Sequence, residues 1–104
     1  MRHYKLDGEL VKNIKCCDYL LLNDSCKRAY YIELKGRDLE HAIEQVEAGE
    51  QICKEFIGQY TSLFRIVTSK TRTHGLKSQK YRHFLNVKGK DSILVKTNEI
   101  EESL

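Results

Sequence analysis

Two carboxylates and a lysine, Asp18, Glu33 and Lys35, are the side chains of this 104-residue chain whose types and spacing could do chemistry. Glu33-Leu34-Lys35 closes a run of β-formers that starts at Ala29, and the chain turns from there into an amphipathic helical pattern. In an extended strand Glu33 and Lys35 share one face, about 7 Å apart. Asp18 opens the preceding apolar run. If the two runs pair antiparallel about a turn at residues 23–27, Asp18 comes opposite Glu33. Converging carboxylates are unfavourable unless a cation neutralises them. Mg²⁺ or Mn²⁺ takes such oxygen ligands and keeps waters for reaction. A neighbouring lysine can orient or deprotonate an attacking water and hold negative charge on a phosphate. The competing reading is structural: Asp18 bonds a turn backbone, and Glu33 with Lys35 forms an exposed pair worth under ~1 kcal/mol.

The elements that must position these residues follow from the pattern. Asp7-Gly8 between short arms signals a turn and favours a hairpin or bent strand over a long first helix. "CCDYLLLND" reads as a buried strand ended by Asn23-Asp24-Ser25, and "RAYYIELK" as its antiparallel partner. Gly36 breaks that strand. Leu39, Ala42, Ile43, Val46, Ile52, Cys53, Phe56 and Ile57 then recur at helical spacing over about 38–58. Asp38 suits the N-cap and Gly58 the stop, while Gly49 weakens the middle. "SLFRIVTS" is a further strand, so the helix crosses between parallel strands. "LKSQKYRHFLN" reads as a short helix and "DSILVKTN" as a last edge strand, followed by an acidic tail at about 99–104. The expected fold is α/β with a mixed sheet, β-β-β-α-β plus a short additional helix and edge strand, in a single domain over residues 1–104.

Asp18, then Glu33-Leu34-Lys35 at a strand end before a helix, resembles the D…(D/E)xK signature of the PD-(D/E)xK nuclease superfamily, the restriction-endonuclease-like fold. The resemblance covers roughly residues 15–69, and the β-β-β-α-β order agrees with that core. It implies a nuclease that binds nucleic acid and hydrolyses phosphodiester bonds with Mg²⁺ (or Mn²⁺). Asp18, Glu33 and the Leu34 backbone carbonyl would be metal ligands, and Lys35 the catalytic lysine. Gln45 matches a glutamine that some branches carry on the following helix. Family members also place an acid on a helix before the hairpin. Glu9 is the candidate by position and Asp7 the second, although Gly8 argues against a good helix there.

Composition bounds the partners. Charged residues make up 32% and hydrophobic ones 40%, no apolar run approaches a membrane span, and no signal-peptide pattern opens the chain. A cytoplasmic protein is expected. The four cysteines are expected reduced, with Cys17 and Cys53 in the core, and their spacing suits zinc poorly. Arg65 to Lys90 holds eight Lys/Arg residues and no Asp or Glu, whereas the preceding helix is acidic. Lys70, Arg72, Lys77, Lys80 and Arg82 are therefore the candidate nucleic-acid contacts, with DNA ahead of RNA. A homodimer would place two sites on two strands. The alternative is a non-catalytic nuclease-fold interaction module or inhibitor, phage or mobile-element encoded, whose acidic helix and basic segment dock a host protein or nucleoprotein.

Overall fold

The structure is a computed structural model that describes residues 2–6, 15–36, 39–68 and 78–97, with side chains except at 35, 36 and 97. The described elements are β1 (Arg2–Lys5), β2 (Tyr19–Asn23), β3 (Arg28–Gly36), α1 (Leu39–Ile57), β4 (Thr61–Thr68), α2 (Gln79–Lys88), a 3₁₀ turn (Lys90–Ser92) and β5 (Ile93–Thr97). The five strands form one mixed sheet in the order β1-β2-β3-β4-β5. β1, β2 and β3 pair antiparallel, and β3, β4 and β5 pair parallel. This is the α/β mixed-sheet architecture expected from the pattern, down to the additional helix and the edge strand β5. The Asp7-Gly8 turn, Asp38 and the acidic tail lie outside the described residues.

Register explains the layering. Tyr4, Leu20, Tyr31, Phe64 and Ile93 form one continuous row across all five strands. Period-two alternation puts that row, with Leu22, Ala29 and Ile66, on the face that meets both helices. α1 lays Leu39, Ala42, Ile43, Val46 and Cys53 onto it, and α2 adds Phe84 against Phe64, with ring centroids 5.2 Å apart. The crossover makes α1 antiparallel to β3 and β4. Phe56, expected in the core, is 80% exposed, since it falls in the last turn of α1 beside a shallow groove lined by Arg2, Tyr4 and Leu22.

Local chemistry sets the ends. Ser78 Oγ accepts from the Tyr81 N–H at 3.1 Å and caps α2. Gly89, at φ 87°, closes it by donating its N–H to the Leu85 carbonyl. At the other end of the sheet, Arg2 and the Tyr60 hydroxyl both hydrogen-bond the Asp24 carboxylate, tying β1 to the β2–β3 turn and to the start of β4.

Gly49 has a packing reason. A Cβ there would lie 2.5 Å from Cys17 Sγ and 3.5 Å from the Tyr31 ring, so glycine lets the helix sit close over the Cys17–Tyr31 region. Cys17 and Cys53 are buried free thiols, as expected.

Candidate functional site

The tripeptide Glu33-Leu34-Lys35 occupies an irregular end of β3. Glu33 pairs with Ile66 and Gly36 with Thr68, so Leu34 and Lys35 together stand against Val67 alone. One extra residue in β3 is a bulge. It interrupts the alternation that would place Glu33 and Lys35 on one face, so the same-face geometry expected from the sequence does not carry through this segment. The Lys35 backbone belongs to β3, and its side chain lies outside the described residues.

Asp18 lies against the same irregularity. Tyr19 pairs with Ile32, so Asp18 follows on opposite Glu33, as the turn position required. Its Oδ2 accepts from the Leu34 N–H at 2.9 Å. Its carbonyl accepts from Leu6 N at 2.8 Å, extending the β1–β2 ladder by one step. Asp18 is thus held from both sides, with its carboxylate bonded inside the tripeptide.

Glu33 belongs to the helix-facing row of Ala29 and Tyr31 and is 9% exposed. The Cys17 thiol is pushed far up, chiefly by burial and then by its neighbours Cys16 and the Glu33 charge, which puts that carboxylate within electrostatic reach of Cys17.

Gln45 is buried, contrary to the solvent-facing position more usual for a helical glutamine. Its place follows from register. Gly49 sits over Tyr31. One turn back along α1 is about 6 Å, and two residues on along β3 is about 6.6 Å, with helix and strand antiparallel. Gln45 therefore comes over Glu33. Its Nε2 lies 3.1 Å from His41 Nε2, and its Oε1 is buried with no hydrogen-bond partner among the described residues. His41 was not singled out as a site residue from the sequence. Its spacing of one helical turn from Gln45 was the available signal.

The donors gathered here are hard oxygens: two carboxylates, a buried amide oxygen and the Leu34 carbonyl of the bulged backbone. Among the described residues no three His, Cys, Asp or Glu side chains converge as a metal group. A site of two carboxylates completed by water suits Mg²⁺ and does not suit structural zinc. Glu9 lies outside the described residues.

The candidate nucleic-acid contacts divide. Lys70, Arg72 and Lys77 lie outside the described residues. Arg82 is exposed on α2. Lys80 Nζ lies 2.6 Å from Glu44 Oε1, and Lys88 Nζ 2.5 Å from Glu50 Oε1. The hydrogen bond from Glu44 raises the Lys80 ammonium above its ordinary range. Part of the basic segment is therefore spent against the acids of α1. Tyr81 and Phe84 pack into the core rather than standing out to stack on bases.

No helix among the described residues is long and apolar enough to cross a membrane. Comparison of the chain with protein-family models, with curated proteins and with solved structures finds no match.

Proposed function

We propose that this chain is a PD-(D/E)xK-type nuclease domain that binds nucleic acid and hydrolyses phosphodiester bonds with Mg²⁺ or Mn²⁺. The observation that carries the reading is the hydrogen bond from the Leu34 N–H to Asp18 Oδ2. It ties the aspartate of one strand to the backbone of Glu33-Leu34-Lys35 on the next, where the resemblance requires them to meet. The β-β-β-α-β order and the burial of Gln45 over Glu33 support it further.

Asp18, Glu33, the Leu34 carbonyl and, less directly, Gln45 would hold the ion. When bound, it would supply an acidic water and charge neutralisation at the phosphate. Lys35 would steady the attacking water and the developing negative charge. Arg82, with Lys70, Arg72, Lys77 and Lys80, would position the backbone of DNA rather than read its bases.

Mn²⁺ titration by calorimetry on wild type, Glu33→Gln and Lys35→Ala, with a DNA cleavage assay on the same samples, tests the reading. The expected result is metal binding and cleavage in wild type, metal binding lost in Glu33→Gln, and cleavage lost with metal binding kept in Lys35→Ala. Full cleavage by Lys35→Ala sinks the assignment. A folded wild type that binds no metal returns the chain to the non-catalytic interaction module.

A further inference from the structure

Both described helices pack on one face of the sheet, and the opposite face carries none of them. The row directly beside the core row reads Lys5, Tyr19, Ile32, Arg65 and Leu94 across all five strands. Alternation adds His3, Arg28 and Lys96 to this face. Two ring contacts agree with the assignment. His3 and Tyr19 stack at 5.1 Å with planes 24° apart, and the Arg65 guanidinium lies 5.2 Å over the Tyr30 ring.

The outward positions of the described strands include no Asp or Glu. The exposed cations Lys5, Arg28 and Lys96 are spread from β1 to β5, about 19 Å at ordinary strand spacing. Meanwhile Lys80 and Lys88 on α2 pair with acids of α1. Positive charge without interspersed acids therefore lies on the sheet, rather than on the helix that the sequence pointed to.

We propose that this helix-free face is a binding surface for single-stranded nucleic acid. Charge complementarity selects a polyanion. The flat His3–Tyr19 stack and the half-exposed Leu21, Ile32 and Leu94 around it select one whose units carry aromatic faces, as bases do. An acidic peptide would engage the lysines and leave the rings idle. The surface is separate from the Asp18–Glu33 cluster, whose Glu33 faces α1, and the proposal does not depend on metal or cleavage.

The test is fluorescence anisotropy of a fluorescein-labelled oligothymidine of about ten nucleotides, with EDTA present throughout. Binding is expected to fall with salt at a log–log slope of about −2 to −3, as three to four phosphate contacts give on a single strand. Lys5→Glu, Arg28→Glu and Lys96→Glu should each weaken it roughly fivefold, and Tyr19→Ala roughly tenfold. Lys54→Glu, the same charge change on the exposed side of α1, should alter it less than about twofold. Circular dichroism confirms that each variant is folded, and the three exposed cations keep the test decisive if Tyr19→Ala is not. Absence of binding, sheet reversals no worse than Lys54→Glu, or displacement of the oligonucleotide by polyglutamate at equal charge would overturn the proposal; the last would make the face a docking surface for acidic proteins.

Discussion

Replacing Gly49 by alanine sets two opposing effects against each other. In a helix interior alanine is favoured over glycine by about 1 kcal/mol. Here the new Cβ would stand 2.5 Å from Cys17 Sγ, well inside contact. Cys17 is 0% exposed, so its sulfur can give way only by displacing buried neighbours. Overpacking of that kind costs about 1–3 kcal/mol. The net expectation is destabilisation by about 1 kcal/mol. In a Cys17→Ala background the obstructing sulfur is gone, and the same change should stabilise by about 1 kcal/mol. The two substitutions should therefore be coupled by about 2 kcal/mol, read from urea unfolding of the four proteins followed by helical circular dichroism. Gly49→Ala that stabilises the wild-type background, or a coupling below ~0.5 kcal/mol, would refute the close helix–sheet approach. Because that approach also sets Gln45 over Glu33, Gly49→Ala should weaken Mn²⁺ binding even where the protein stays folded.

Four further outcomes are expected. Hydrogen bonds from Arg2 and then Tyr60 hold the Asp24 carboxyl down at about 2. Its contribution to stability should be complete above the ordinary carboxylate pKa and be lost as pH falls from there through about 2; acid unfolding of Asp24→Asn, lacking that segment of the profile, checks it. Of the four free thiols, Cys26 is exposed and Cys16, Cys17 and Cys53 are buried, so an aromatic disulfide reagent should titrate one quickly and three only on unfolding. Ser78→Ala should cost about 1 kcal/mol, through loss of the cap on Tyr81 N, in thermal unfolding. Asp18→Ala should lose metal binding at a cost in stability of about 1 kcal/mol, because the Leu34 N–H it leaves belongs to a residue that is 41% exposed and can turn to water.

Local pattern was enough where local forces decide. The polar turn between β2 and β3, the helical spacing of Leu39 to Cys53 and the two strands around it were all legible, since each is set within a few residues. What was not legible depends on partners distant in sequence. The bulge at Leu34–Lys35 accompanies a contact from Asp18, sixteen residues away. Lys80 and Lys88 looked like bare cations because Glu44 and Glu50 lie 36 and 38 residues before them. Gly49 looked like a flaw in the helix, and its reason is a sulfur on the far side of the interface. Gln45 looked like a surface residue because an isolated helix does not reveal which polar position will be pressed against a sheet.

The strands lie side by side in the order in which the chain runs. No strand has to be threaded between two others, so each one, as it emerges during synthesis, meets an edge already standing. β1 and β2 offer a ladder to β3, β3 with its helix offers one to β4, and only β5 arrives last. A ribosome-bound chain arrested before β5 should already protect the amides of β2 and β3 from exchange, while the outer edge of β4 waits open for its final partner.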